Sequence, residues 1–397
     1  MKNYLKFLFL LSFTILLLAS CENDNDTDTD TNIPELSCEE KVEELKINQL
    51  QVIGSHNSYR QRTYAPILQY LFDNLNQLPP GFTPLVWDYD HASLDEQFST
   101  YGIRSIELDV YNDPNGGLFY YRIGNGSVME DPESSEPKLL EPGLKIMHFP
   151  DLDYNTHYLT FKDAITTVKN WSASNPKHVP ISIMVETKED SPNALLGDPF
   201  TVTIPFDKTA IESIDQEIKD VFGIDLTGVM TPDDLRGTHA SVNEAVLAND
   251  WPTLGDARGK VMLILSTNDD MKAAYLDGHA TLENRAMFVF SDAGNPETAF
   301  VKKDDPVANE ASIKTLVGEG YIVRTRADAN TLEARSGETQ RRDAALGSGA
   351  QIVSTDYYKA DGRADWSDYT VELPDGAAAR ISTEFIESVD LTCGVKE

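Results

Sequence analysis

Glu107 and Asp109 sit in the segment 102–111, GIRSIELDVY, alternating with Ile106, Leu108 and Val110. Successive side chains of a strand point to opposite faces, so both carboxylates share one face and the aliphatics the other. Two bare carboxylates side by side repel each other and are costly to bury. A hard cation bridging them removes that cost. Alone, the segment reads first as a half-exposed strand with a wet acidic face. Complementary chemistry elsewhere in the chain favours the metal. The run 51–55 leads into Ser55-His56-Asn57-Ser58, and the run 144–147 ends at His148.

Other runs also collect polar side chains at their ends. PISIMVETK puts Met184, Glu186 and Lys188 on one face; YIVRTRAD aligns Arg324, Arg326 and Asp328; QIVSTDYY aligns Ser354, Asp356 and Tyr358. Asn57, Glu107, Asp109 and Glu186 are hard oxygen donors, suited to Ca2+ and less well to Mg2+. Zinc fits poorly, because only His56 and His148 offer nitrogen and no cysteine is at hand. Two histidines beside a metal suit general acid–base work near neutral pH. Lys188 reads equally as an exposed charge, and Arg324 and Arg326 equally as partners of neighbouring acids.

Positioning these groups requires strands that deliver their C-terminal ends to one place. Aliphatic runs occur at 51–55, 103–110, 144–147, 181–186, 260–265, 286–290, 321–326 and 351–355, with helical patterns between them. Residues 160–172 and 209–222 show helical spacing, the latter with Asp215 and Glu217 on a polar face. Thr231 followed by Pro232 reads as a capped helix start. Strands alternating with helices imply a parallel sheet, and eight such units imply an α/β (β/α)8 TIM-type barrel. Its active site forms at the C-terminal ends of the strands. The long gap between the fourth and fifth runs marks an insertion. A doubly wound sheet is the alternative, but no Gly-rich phosphate loop follows a strand.

The first residues stand apart. Lys2 and Lys6 precede an apolar run ending at small residues before Cys21. Residues 1–20 read as a lipoprotein signal, leaving Cys21 as the lipidated N-terminus. Residues 21–36 read as a disordered acidic tether, and 37–397 as one domain. Cys38 and Cys393 form a disulfide candidate, with two free thiols as the alternative. The chain has 33 Lys and Arg against 65 Asp and Glu, a formal charge of −32. Such a surface repels polyanions, so no nucleic-acid partner is expected, and a phosphate substrate must be met by local cations. A monomer is expected, held to the membrane through its N-terminal lipid.

GSHNSY, IRSIELDVY, the histidine of KIMHFPDLD and PISIMVETK together resemble the calcium-dependent phosphoinositide phospholipase C family in its bacterial branch. The likeness continues through WPTLGDARGKVMLIL and GAQIVSTDYY and covers most of 48–360, weakest over 191–250. The resemblance implies a phosphoric diester hydrolase acting on phosphoinositide or other inositol lipids. It implies that His56 takes the proton from the inositol 2-hydroxyl, which attacks phosphorus, and that His148 protonates the departing diacylglycerol oxygen. Calcium held by Asn57, Glu107, Asp109 and Glu186 would lower the hydroxyl's pKa and neutralise developing charge. Lys188, with Arg324 or Arg326, would steady the phosphate. Strand geometry adds Asp356 as an orienter of a histidine and Tyr358 as a surface for the sugar ring. The acidic run after Cys21 resembles surface-export signals of Bacteroidetes-type lipoproteins. That implies an anchor at the outer membrane or surface of a Gram-negative cell.

Two other readings stand beside this one. A glycerophosphodiester phosphodiesterase also uses a barrel, an ExD pair and two histidines, but its first strand typically ends in His-Arg, where this chain has His56-Asn57. A non-catalytic surface lipoprotein binding inositol lipids or glycans is the other.

Overall fold

The short aliphatic runs form strands because β-branched residues pack well on a pleated surface. In chain order the strands are β1 (Leu50–Ser55), β2 (Ser105–Tyr111), β3 (Lys145–Ile146), β4 (Ile181–Lys188) and β5 (Val261–Ser266). They continue with β6 (Phe288–Val289), β7 (Phe300–Lys302), β8 (Ile322–Arg326), β9 (Ile352–Thr355) and β10 (Arg380–Ile381). The computed structural model describes residues 36–197, 199–386, 391 and 393–397. The signal segment, Cys21 and the tether up to residue 35 lie outside these described residues.

Hydrogen bonding follows the order β6-β5-β4-β2-β1-β9-β8-β7, and every neighbouring pair along it is parallel. A parallel bridge from Phe290 to Phe300 joins the two ends of that order. The Ser291 amide donates to the Phe300 carbonyl there at 3.3 Å. The chain is thus a nearly closed, irregular (β/α)8-type barrel.

One expected stave is replaced by another. The run 144–147 forms β3, which pairs antiparallel with the end of β2, Val110 opposite Ile146, and lies off the ring. The missing stave is β7, only 3 residues long, too short to carry a periodic signal. The insertion lies between β4 and β5 and contains the helices Lys208–Phe222, Pro232–Arg236 and Val242–Leu247.

Alternation within the staves decides what faces the ring. Glu107, Met184, Ile264, Arg324 and Ser354 border one interior space. Ile106, Leu108 and Val110 have the opposite parity and belong to the buried apolar cluster that also holds Phe161, Ile165 and Val168 of the helix Phe161–Ser174. Thr160 caps that helix by accepting the Asp163 amide. Burying each such aliphatic side chain contributes about 1.5–3 kcal/mol, so a charge at Leu108 would disrupt this layer. Asp215 and Glu217 correct the sequence reading, because both are buried. Asp215 accepts the Tyr275 hydroxyl at 2.6 Å and Glu217 accepts the Leu144 amide at 2.9 Å. Periodicity sorts residues by polarity and does not register a buried donor.

The ends of the domain close the N-terminal face of the barrel. Cys38 and Cys393 are disulfide-bonded, with Cα atoms 6.0 Å apart. Glu397 accepts from Arg104 Nε at 2.7 Å and from the Val179 amide at 2.6 Å, just before β2 and β4. Among the described residues no helix is long and apolar enough to cross a membrane.

Candidate active site and metal centre

β1 runs close to β2 because Gly54 faces Ser105; a Cβ on Gly54 would sit 2.8 Å from the Ser105 Cβ. The chain then turns at Asn57, whose φ of 51° is left-handed, a conformation asparagine tolerates better than most residues. Ser58 fastens this turn to β2. Its amide donates to the Glu107 carbonyl at 3.0 Å, and its Oγ accepts the Glu107 amide at 2.8 Å. His56 and Asn57 are thereby held beside Glu107, with His56 Nε2 3.6 Å from Glu107 Oε1.

His56 Nδ1 lies 2.8 Å from Asp356 Oδ1. Arg326 Nη1, which can only donate, lies 3.3 Å from His56 Nε2. The hydrogen-bond network therefore assigns the proton to Nδ1 and leaves the lone pair on Nε2. Burial, followed by the Arg326 cation, pushes the imidazole down to about 3. The ring is then a neutral base at neutral pH. Burial works against ionised Asp356, but His56 and Arg326 outweigh it and hold the carboxyl below the usual range.

A second pair has the same logic. His148 follows β3, and its Nδ1 lies 2.7 Å from Asp153 Oδ2. Asp153 is fully buried; it accepts from Arg60 Nη2 at 2.6 Å and from Thr63 Oγ1 at 2.7 Å. Burial lowers the His148 pKa and Asp153 opposes the shift. Trp87 meets the imidazole edge to face, ring centres 5.7 Å apart. In both pairs a carboxylate holds Nδ1 and leaves Nε2 for proton transfer.

The carboxylates converge between β2 and β4, where Asp109 stands opposite Glu186. Glu107, Asp109 and Glu186 each offer an oxygen within 4.8 Å of the others. Burial raises Glu107 to about 7, with Arg324 opposing and Glu186 adding repulsion. Burial raises Asp109 well above the usual range, with Lys188 opposing. Asp109 Oδ1 is buried with no hydrogen-bond partner. Asn57, on the turn next to His56, donates Nδ2 to the Tyr89 hydroxyl at 3.0 Å. Clustered carboxylates with one orphaned buried oxygen fit a hard divalent cation of the calcium type.

The cations of the mouth are already engaged. Lys188 Nζ lies 3.1 Å from Asp190 and 4.0 Å from Asp109. Arg324 Nη2 donates to Glu107 Oε2 at 2.7 Å and Nη1 pairs with Asp304. Arg326 Nη2 donates to Asp356 Oδ2 at 3.2 Å, while its Nε is buried without a partner. Tyr358 is not offered to a ligand: β9 ends at Thr355, and the ring stacks on His91 at 5.2 Å between centres. Its hydroxyl accepts the Ala92 amide at 2.8 Å. His91 is buried too, with Nε2 2.7 Å from the His56 carbonyl.

Several participants were not singled out from the sequence. Asp153, in the loop after β3, anchors His148. Its spacing five residues after the histidine is the signal available. Lys302, on the unrecognised β7, reaches Ser266 Oγ at 3.0 Å and Glu186 at 3.8 Å. Arg60 carried no pattern at all. A separate cavity of about 710 Å³, lined by Lys219, Ile224, Met230 and Lys260, includes none of these residues.

A family model described as "Phosphoinositide phospholipase C, Ca2+-dependent" matches residues 45–383. Among solved structures, the chain is similar to a calcium-dependent phosphoinositol-specific phospholipase C from a Gram-negative bacterium, Pseudomonas sp, described as apo form, myoinositol complex. The TM-score is 0.50 at 14% identity, over 86% of this chain and 96% of that one. A Ca2+-dependent phosphatidylinositol-specific phospholipase C from Streptomyces antibioticus aligns with a TM-score of 0.47 at 16% identity, over 79% of this chain and 95% of that one. No curated protein matches the chain.

Proposed function

The chain belongs to the Ca2+-dependent phosphoinositide phospholipase C family, and from that premise we propose that this phosphodiesterase cleaves the glycerol–phosphate bond of phosphatidylinositol-type lipids. The products would be diacylglycerol and a cyclic inositol phosphate. The observation that carries the reading is the pairing of two imidazoles, each held at Nδ1 by a buried aspartate, at the barrel end that also carries the carboxylate cluster.

His56 Nε2 takes the proton of the inositol 2-hydroxyl as that oxygen attacks phosphorus. Asp356 keeps the imidazole in the required tautomer and stabilises the positive charge it gains. His148 Nε2 gives a proton to the departing glycerol oxygen. Asp153 favours the protonated ring, and the negative phosphate of a bound substrate adds to that preference. Asn57, Glu107, Asp109 and Glu186 would hold Ca2+, whose charge would offset that on the phosphoryl oxygens and favour ionisation of the 2-hydroxyl. Lys188 and Arg326 lie beside these groups and supply positive charge for the phosphate. Arg324 holds Glu107 in place.

Lipid anchoring through Cys21, outside the cytoplasm, belongs to the same reading. The basic start, the apolar run and the small residues before Cys21 support it. Metabolic labelling with a fatty acid, lost in Cys21→Ser, tests it.

The direct test compares phosphatidylinositol with glycerophosphoinositol, with and without a calcium chelator. Chelator-sensitive release of diacylglycerol, lost in His56→Ala, is the expected outcome. Faster turnover of the deacylated diester, or an His56→Ala protein of full activity, would overturn the reading.

A further inference from the structure

We propose that Arg60 is a positioning residue that locks the two histidine–aspartate pairs into one frame and sets Asp153 against His148 for proton delivery to the leaving group. This rests on the proposed roles of His56 and His148.

Arg60 is fully buried, unusual for arginine unless its donors are satisfied. Its Nε and Nη2 both donate to Asp153 Oδ2, at 3.2 and 2.6 Å. Nη1 donates to the Tyr89 carbonyl at 3.2 Å, and Nη2, with two hydrogens shared among its acceptors, also lies against Thr63 Oγ1 at 2.9 Å and the Trp87 carbonyl. The guanidinium also lies 4.2 Å from the centre of the Tyr89 ring. That ring's hydroxyl is 3.3 Å from His56 Nδ1 and accepts from Asn57 Nδ2 at 3.0 Å. One rigid fork therefore touches Asp153, which holds His148, and Tyr89, which touches His56 and Asn57. The Arg60 amide also donates to the Asn57 carbonyl at 2.9 Å, tying the fork to the turn that carries the base.

The shape of the fork matters as well as its charge. Asp153 Oδ2 receives both Arg60 and His148 Nδ1. Arg60 therefore fixes the oxygen that orients the imidazole. Lysine would keep the charge but not the planar set of bonds. Without Arg60, Asp153 can rotate and His148 Nε2 no longer points consistently at the leaving oxygen.

A role through the general acid differs from a role in folding by its dependence on the leaving group. An alcohol needs the proton, whereas a nitrophenolate departs without it. The test uses the full chain with calcium, a phosphatidylinositol substrate and a nitrophenyl phosphodiester of inositol. The variants are Arg60→Lys and the charge-neutral pair Arg60→Met with Asp153→Asn. General acid–base catalysis contributes about 10²–10⁴-fold. Arg60→Lys should thus lose about tenfold or more in kcat on the lipid, with KM nearly unchanged, and under about threefold on the nitrophenyl ester. The double variant should lose about 10²–10³-fold and under about tenfold on the same two substrates. Equal losses on both substrates, or losses matched by a fall in folded fraction, would overturn the proposal. If the double variant does not fold, Arg60→Lys alone decides. His148→Ala is run beside them: equal losses on both substrates there would remove His148 as the acid, and the functional reading would fail first.

Discussion

Replacing Asp109 by asparagine should stabilise the calcium-free protein and erase its response to calcium. Asp109 is 2% exposed, and its Oδ1 has no donor. Its cation, Lys188, is 4.0 Å away and closer to Asp190, at 3.1 Å. Burial raises the Asp109 carboxyl well above its ordinary value, Lys188 opposes, and Glu186 and Glu107 add repulsion. A group whose folded pKa is raised contributes stability below its unfolded value and loses it as pH climbs toward the folded one. The cost is bounded by that of keeping the carboxyl protonated in the fold. That is about 1.4 kcal/mol per pH unit above roughly 3.9, or about 4 kcal/mol at pH 7 and about 2 at pH 5.5. An amide of the same shape avoids it. For a folded unit spanning Ser37–Glu397, the unfolding entropy is about 0.75 kcal/mol/K. Asp109→Asn should then raise Tm in chelator by up to about 5 °C at pH 7 and about 3 °C at pH 5.5.

Calorimetry at both pH values, followed by calcium titration, reads these changes. Calcium at a hundred times its Kd adds about 2.7 kcal/mol, so wild type should gain about 3–4 °C and the variant almost nothing. Glu107→Gln provides the contrast. Glu107 is also raised, to about 7, but it accepts Arg324 at 2.7 Å; the weaker bond to an amide costs about 1–3 kcal/mol and offsets the relief from desolvation, so Tm in chelator should rise less than in Asp109→Asn or not at all. An Asp109→Asn protein that melts below wild type in chelator, or a Glu107→Gln protein stabilised as much as Asp109→Asn, would refute the reasoning.

Asp356→Asn should lower kcat by about 10²–10⁴-fold with little change in KM, because an amide can donate to Nδ1 and turn the His56 tautomer around; steady-state kinetics with matched circular dichroism checks it. The acid limb of activity should come from the carboxylate cluster, since Glu107 is raised to about 7 while His56 lies at about 3. Protons and the cation then compete, so more calcium should move that limb to lower pH; a limb indifferent to calcium would assign it to another group. Gly54→Ala should cost about 1–3 kcal/mol, because its Cβ would meet the Ser105 Cβ at 2.8 Å; pairing it with Ser105→Gly should restore much of the Tm. Reducing the Cys38–Cys393 disulfide, with its sequence separation of 355, should cost about 2–5 kcal/mol and lower Tm, with activity at 25 °C retained.

Much of the site was legible because strand alternation is a local property. Glu107 and Asp109 share a parity, so any strand at 105–111 puts both carboxylates on one face, whichever fold surrounds it. The Ser55–Ser58 turn and the polar ends of β4, β8 and β9 were visible for the same reason. The barrel followed from the alternation of aliphatic runs with helical patterns.

Partners across the ring were a different matter. That Arg324 meets Glu107, that Arg326 lies against His56, and that β3 folds back on β2 while β7 supplies the eighth stave all depend on closure and register. Three residues of β7 carry almost no periodic information, and Tyr358 was misplaced because strand parity was carried past the point where β9 ends. Asp153 and Arg60 are ordinary polar residues in loops until the 56–60 turn and the 148–153 loop pack together. Residue order alone determined which groups share a face, since that depends on neighbours along the chain. The tertiary structure decided which faces meet and which charges are neutralised, since desolvation and Coulomb energy depend on distances through space.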